Sequence, residues 1–461
     1  MNVILNTHRS AAWSTCFLAA ILTTSQARAQ QSLDAMIDAQ MPALLSTYKS
    51  LHAAPELSHY EIRTSAFLAK ELRALGFVVT ERIGKFTRPE WKGYGIAAVL
   101  KNGEGPVVLV RTDMDALPVE EKTGLPYAST LRVKIDSGQE VGVMHACGHD
   151  IHMTAMLGTA KNLVQLKDSW RGTLVLIGQP AEETIDGARA LLEDGLYEKL
   201  PKIDYAIALH DNADFEAGKV GIVPGYAMAS ATSVDITVRG VGGHGSRPDR
   251  TKDPVVLAAQ IVNALQTIVS RENSPLDPAV VTVGSIHGGT LYNIIPDEVK
   301  LQLTVRTYKE DVRKNLIAAI ERIAKGTALA AGVPAELAPV VQVSQNEFTP
   351  SQYNNPALTE RLAGVFVKVL GAGNVVAVAP VMASEDFGRF ALDGNLIPAA
   401  MFWLGAIDPL VVAESRRTGI PLAGSLHSPF FAPLPEPTLR TGIKAMTSAV
   451  LDLMKVNGAG S

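Results

Sequence analysis

The chain has 461 residues, of which 47% are hydrophobic and 19% charged, and its formal net charge is −4. That balance excludes a disordered or fibrous protein and argues against nucleic acid as a partner, because phosphate binding needs a basic face. The length predicts two domains or three.

The N-terminus reads as an export signal. His8 and Arg9 give a weakly basic start, Ala11 to Thr24 is mostly apolar but too short to span a bilayer, and Ala27-Arg28-Ala29 is a small-x-small cleavage pattern. Residues 1–29 are therefore expected to be removed, leaving a periplasmic or secreted protein without a membrane anchor. Cys16 falls in that segment and Cys147 is the other cysteine, so the mature chain cannot form an internal disulfide.

Residues 30–228 are expected to form the first part of a catalytic domain. Gln31 to Ala53 and Glu61 to Leu75 have helical spacing, the second stopping at Gly76. Tyr94 to Leu100 and Val107 to Arg111 are short β-like runs separated by the turn Asn102-Gly103-Glu104-Gly105. A helix over His152 to Leu166, a strand over Thr173 to Gly178, a short helix at Ala188 to Leu192 and a strand over Ile203 to Leu209 follow. This alternation predicts an α/β fold whose mainly parallel sheet is covered by helices. Asp113, Glu182, Glu183 and His210 each follow a strand, and ligands of open α/β sheets gather at the carboxyl ends of strands.

The pattern changes near Ala229. Ser233 to Arg239 (strand), Asp253 to Val269 (helix, Asp253 as N-cap and Pro254 at N1), Val280 to Ile286 and Val299 to Tyr308 (strands), Lys309 to Ala331 (helix) and Leu337 to Val343 (strand) give βαββαβ, a ferredoxin-like unit. Residues 229–345 are thus expected to be an inserted domain. Residues 346–461 resume the first pattern with a helix at Pro356–Leu370 and a strand at Ala399–Leu404. Ala406 to Leu426 has no clear period and is expected as a surface loop.

The donors carry the chemistry. Cys147 and His149 alternate, so in an extended segment both could face one cation. Glu183, His210 and His427 raise the set to five, more than one tetrahedral structural site needs. Five donors suit two metal ions with Cys147 as bridge, a centre that activates water and polarises a carbonyl. Adjacent side chains point apart, so Glu182 is left as general base and later proton donor. Against these readings stand a buried inert cysteine and a solvated Glu-Glu turn. Both are weakened by His149 two residues from Cys147 and by the apolar strand before the glutamates. Asp113 is a candidate to buttress a ligand from behind, and Asp115 and Asp150 could do the same or cap a helix. His145 and His152 are read as hydrogen-bonding groups. In the insert, Gly240 to Pro248 is a glycine-rich loop carrying His244, which could reach an oxyanion. Asn293 lies in another turn, and Arg306 could pair with a substrate carboxylate. The glycine loops lack the strand-to-helix setting of a nucleotide fingerprint.

His145-Ala146-Cys147-Gly148-His149-Asp150, Pro180-Ala181-Glu182-Glu183, Gly243-His244, Asn293-Ile294-Ile295-Pro296 and Ser384-Glu385-Asp386-Phe387 occur in an order that resembles the two-metal amidohydrolases. These include hippurate hydrolase, aminoacylases and auxin–amino acid conjugate hydrolases, with carboxypeptidase G more distant. The resemblance, from Tyr48 to Leu451, implies a metal-dependent exopeptidase-like catalytic domain with an inserted lid that often dimerises. It implies metal ligands at Cys147, His149, Glu183, His210 and His427, with Glu182 as base. It also implies His244 as oxyanion donor across a dimer interface, and Asn293 and Arg306 as substrate contacts. Where the wider family has His-x-Asp, this chain has Arg111-Thr112-Asp113. Thiolate and imidazole donors suit zinc, nickel or cobalt, with manganese also open. The implied activity is hydrolysis of N-acyl or N-aryl-acyl amino acids. The alternatives are a metallo-dipeptidase or carboxypeptidase acting on small peptides, a Cys147–His149 nucleophilic enzyme, and a binding protein that kept the fold.

Overall fold

The computed structural model describes residues 33–392, 394–422 and 424–456; the expected export segment, 1–29, lies outside them. The catalytic layer is an eight-stranded sheet in the order Val78–Ile83, Gly95–Asn102, Gly172–Gln179, Val107–Asp113, Tyr205–Glu216, Ala399–Ile407, Val220–Ile222, Val375–Ala377. The four strands from Gly172–Gln179 to Ala399–Ile407 run parallel, and antiparallel neighbours flank them. Gly172–Gln179 and Ala399–Ile407 are buried along their whole length, as strands covered on both faces must be. Side chains alternate between two cores. Val108, Val110, Leu174, Leu176 and Ile207 pack with Ile151, Leu157, Leu439 and Ile443 of the helices His149–Gln165 and Pro435–Leu453. Leu109, Val175, Ile177, Ala206 and Ala208 pack on the other side with Leu191, Phe387 and Phe390.

A four-stranded antiparallel sheet, in the order Ala279–Gly288, Glu298–Thr307, Ser230–Arg239, Val340–Thr349, is backed by the helices Pro254–Thr267 and Glu310–Ala330. The Asp253 carboxylate accepts from Val255 N and caps the first of these helices, with Pro254 just inside it. The chain leaves the catalytic layer through Gly225–Met228 and returns through Gln352–Asn354. These two segments pair antiparallel, so exit and re-entry are tied together.

Two local expectations are corrected. The strand bearing His210 does not stop there but continues to Glu216, because Leu404 and Gly405 keep pairing with Asp211 and Asn212. The span 406–426 is not all loop: Pro409–Thr418 is helical, capped by Asp408 accepting from Leu410 N and ended by Gly419 in the left-handed region. That helix buries Val412 alone of its residues, too narrow an apolar stripe to show a period. The edge strand Val78–Ile83 and the long helix Pro435–Leu453 also belong to the fold. Among the described residues no helix is long and apolar enough to cross a membrane.

Candidate metal centre

Parallel register sets the site. Arg111 pairs with Ala208 and Asp113 with Gln179, so Asp113, the turn after Gln179, and His210 two residues past Ala208 reach one edge of the sheet together. Cys147 and His149 arrive differently from the expected extended segment. Residues 146 and 147 form a turn and the helix His149–Gln165 begins at the imidazole itself. Gly148 makes the turn possible. Its φ is 78°, and a Cβ there would lie 2.3 Å from Asp211 Oδ2. His427 N donates to Ala146 O at 2.8 Å, closing the site from the C-terminal segment.

The five donors form two triplets. In Cys147, His149 and His210 the candidate ligand atoms all lie within 4.8 Å of one another, and the same holds for Cys147, Glu183 and His427. Cys147 Sγ is 3.5 Å from His210 Nε2. Glu183 Oε2 is 3.4 Å from His427 Nε2, and Glu183 Oε1 is 3.8 Å from His149 Nε2. Such separations are polyhedron edges for metal–ligand bonds of about 2.0–2.3 Å. Cys147 belongs to both triplets.

Hydrogen bonds aim the rings. His149 Nδ1 lies 2.8 Å from Asp115 O and His210 Nδ1 lies 2.7 Å from Asp211 O. A carbonyl only accepts, so each Nδ1 carries a proton and each Nε2 is the nitrogen turned to the site, the one a metal would engage. His149 Nε2 and Glu183 Oε1 are buried with no hydrogen-bond partner among the described residues, a costly arrangement that a cation would relieve. Burial and the Glu183 and Glu182 carboxylates push the Cys147 thiol up. Burial, with Asp115 and Asp113, pushes Glu183 up to about 8 although His149 pulls it down. This crowding of buried acidic groups fits divalent metal and thiolate ligation.

Glu182 lines the cleft and is nearly buried, with Oε2 3.8 Å from His149 Nε2. Burial and the carboxylates of Glu385, Glu183 and Asp386 push it well above the usual carboxylate range, with Arg111 pulling back. The Glu182-Glu183 turn is fixed from both sides. Ala181 N donates to Glu61 Oε1 at 2.8 Å and Glu183 N to Asp115 Oδ2 at 2.9 Å. Ala181 and Ile185, flanking the glutamates, and His427 have positive φ, of 52°, 54° and 65°, so two donor-bearing segments carry backbone strain at non-glycine positions.

Asp113 lies behind the triplets. Its Oδ1 accepts from His152 Nδ1 at 2.7 Å and its Oδ2 from Arg111 Nη1 at 2.6 Å. His152 Nε2 in turn accepts from Asp211 N at 2.8 Å, so both its ring nitrogens are engaged. Arg111 is buried, donating also to Glu385 at 2.7 Å, Asp386 at 3.3 Å and Gln179 at 2.8 Å. Arg111 and Glu61 are the supporting residues that sequence reasoning missed. Arg111 stands out in the sequence as a departure from His-x-Asp, whereas nothing local marks Glu61, at the start of a helical span.

A cleft of about 870 Å³ opens over Cys147, Glu182, Glu183, His210 and His427, and Arg306 lines it from the inserted unit. Arg306 Nη1 donates to Ser384 Oγ at 3.0 Å and Met382 O at 3.3 Å. His244 and Asn293 do not line this cleft. They share a separate depression where Gly243–His244 pairs with Ile294–Ile295. There His244 Nδ1 accepts from Ser246 N at 3.1 Å, which leaves Nε2–H as a donor.

The chain is 38% identical over 352 residues to an N-acetyl-L-cysteine deacetylase of Bacillus subtilis, covering 75% of this chain and 77% of that protein. It is also 38% identical over 342 residues to the hippurate hydrolase of Campylobacter jejuni, covering 74% and 82%. A Bacillus subtilis crystal structure described as a dinuclear metal-binding peptidase of the M20 family superimposes with a TM-score of 0.68 at 26% identity, over 90% of this chain and 99% of that one. Residues 109–451 match the family description itself, and the chain belongs to peptidase family M20/M25/M40.

Proposed function

We propose that this hydrolase cleaves the amide bond of N-acyl amino acids, releasing a carboxylic acid and a free amino acid, at a centre of two divalent ions. The observation that carries the reading is the pair of donor triplets sharing Cys147, with the Glu182 carboxylate beside them 3.8 Å from His149 Nε2. The names of the deacetylase and hippurate hydrolase relatives support the substrate class. Cys147, His149 and His210 would hold one ion and Cys147, Glu183 and His427 the other. Thiolate and imidazole donors favour zinc, nickel or cobalt over magnesium, and the carboxylate of Glu183 leaves manganese open.

When bound, the ions lower the pKa of water and polarise the scissile carbonyl. Glu182 takes the proton of the attacking water and returns it to the leaving nitrogen. Arg306, projecting into the cleft, pairs with the substrate carboxylate. Asn293 is assigned a substrate contact and His244 the donor to the developing oxyanion. Both lie outside this chain's own cleft, so they are assigned to the cleft of a second copy. Leu291, Tyr292 and Ile294 beside them are 52%, 97% and 49% exposed, an apolar patch that supports a homodimer formed through the inserted unit. Export through residues 1–29 to the periplasm or the medium belongs to the same proposal and rests on the sequence pattern.

A peptidase reading, with small peptides as substrate, is favoured by the family description. The experiment is a kinetic panel of N-acetyl and N-benzoyl amino acids against free dipeptides, on protein stripped with a chelator and reloaded in turn with zinc, manganese, cobalt or nickel. N-acyl amino acids should lead by kcat/KM, and no turnover should survive chelation. A preference for dipeptides would replace the proposal with the peptidase reading.

A further inference from the structure

A second cavity, of about 650 Å³, abuts the metal cleft and shares Trp91, Glu183 and Thr184 with it. Its lining includes Leu57, Leu117, Leu131, Val133 and Ile135. Two carboxylates outside the metal site reach it, and both are already engaged. Glu56 accepts from Arg63 N, Arg63 Nε, Thr64 N and Thr64 Oγ1 at 2.8–3.0 Å. Asp136 accepts from Tyr60 OH at 3.0 Å and Arg88 Nη1 at 2.9 Å. The shared wall is held in place: the Trp91 ring stacks on His59 with centroids 3.6 Å apart and planes 5° apart, and Asp186 holds His59 at 3.1 Å.

We propose that this cavity is the acyl subsite and that the preferred substrates carry a long-chain or arylalkyl acyl group. The proposal rests on the reading above and deepens it. With the substrate carboxylate on Arg306 and the amide at the donor triplets, the acyl group must leave the ions in another direction. The apolar space bordering Glu183 receives it. The volume is in the range of small-molecule sites. An ammonium, which the N-terminal residue of a peptide would bring, finds no uncommitted carboxylate in this lining once Glu183 is engaged by metal, and would lose its hydration uncompensated. An uncharged chain loses nothing and gains from burial, each added methylene raising kcat/KM by about three- to fourfold until the cavity is full.

Val133 is the residue to alter. It is half-buried on the short hairpin Arg132–Lys134/Glu140–Gly142, at the surface of the fold. Metal-loaded full-length wild type, Val133→Trp and Val133→Phe are assayed on N-acetyl, N-hexanoyl and N-dodecanoyl derivatives of one amino acid. Dodecanoate binding is measured by calorimetry on the same proteins, and thermal unfolding identifies the variant that has kept its fold. In wild type, kcat/KM climbs with chain length and dodecanoate binds. In the folded variant the dodecanoyl-to-acetyl ratio of kcat/KM falls at least tenfold and dodecanoate binding is lost. A flat wild-type profile, or a variant with an unchanged ratio, overturns the acyl subsite while leaving amide hydrolysis in place. If no amide in the series is cleaved yet dodecanoate binds wild type and not the variant, the cavity stands as an acyl-chain site and the proposed function falls.

Discussion

His427 and Ala146 are joined by a 2.8 Å backbone hydrogen bond, so the C-terminal imidazole is anchored to the very turn that carries Cys147. Cys147 and His427, brought together by this joint, differ in reach. Cys147 serves both donor triplets, whereas His427 serves one. Cys147→Ala should therefore abolish retention of both ions, and His427→Ala should leave about half the wild-type metal, since three of the four donors a closed site needs persist in the other triplet. Metal per chain, measured by mass spectrometry after gel filtration, checks this. Full loading of Cys147→Ala would sink the bridging assignment.

The Glu182 carboxylate lines the cleft, with Oε2 3.8 Å from His149 Nε2. Glu182→Gln keeps the shape but cannot take a proton. The variant should keep its metal and lose about 10²- to 10⁴-fold in kcat, read by pairing metal content with steady-state kinetics. Near-normal turnover would remove Glu182 from its role.

The acidic surplus sets a pH dependence. In the metal-free chain, burial with Asp115 and Asp113 holds Glu183 at about 8, against the pull of His149. Unfolding would return it to about 4.3. A carboxyl whose folded pKa is raised binds more protons folded than unfolded, so it favours the fold at low pH and loses that contribution as pH climbs from about 4 to about 8. Metal ligation needs the anions, so loading should release protons and tighten across the same window, with the raised Cys147 thiol adding in the same direction. Thermal unfolding of chelated protein at about pH 5.5 and about pH 8.5, beside metal titrations in both buffers, tests the sign. Metal affinity that weakens with rising pH would contradict it.

Much of this was legible because apolar spacing and strand ends are local signals. The alternation that leaves Leu174 and Leu176 on one face and Val175 and Ile177 on the other is written in the residues, and so is the βαββαβ order, with its Asp253-Pro254 helix start. The candidate metal donors could be proposed from type and spacing. What could not be read was how they meet. Cys147 and His149 converge through a left-handed glycine turn at a helix start rather than by strand alternation, and nothing in a Cys-Gly-His triplet distinguishes the two. Glu61 supports Ala181 across 120 residues of chain, and Arg111 gathers Glu385 and Asp386 from the far side of the insert. Such long-range pairs leave no periodicity. The helix Pro409–Thr418 hid because one buried valine makes no pattern.

Arg111 offers a test of stability apart from catalysis. Its guanidinium is buried among Asp113, Glu385 and Asp386, and removing it strands three carboxylates in a dry environment. Arg111→Met should cost about 3–5 kcal/mol in urea unfolding. Asp386, already raised to about 7 by burial and Glu385 against the pull of Arg111, should rise further. A loss below about 1 kcal/mol would mean that the carboxylates relax or protonate without penalty.

The separation of His244 from the cleft makes the last prediction decisive for assembly. If the oxyanion donor comes from a second copy through the apolar patch at Leu291, Tyr292 and Ile294, then His244→Ala and Glu182→Gln should each be nearly inactive alone. Each should also remain a dimer by light scattering. Co-expressed in equal amounts, they should yield mixed dimers in which one of two sites has both an intact Glu182 and a partner's intact His244. Half the dimers are mixed and half their sites are whole, so about a quarter of wild-type activity returns. If His244 served its own chain instead, every site in the mixture would lack one group and activity would stay near zero. Tyr292→Asp on both chains should break the pairing and erase the recovery, because a charge at the centre of an apolar contact is not compensated there.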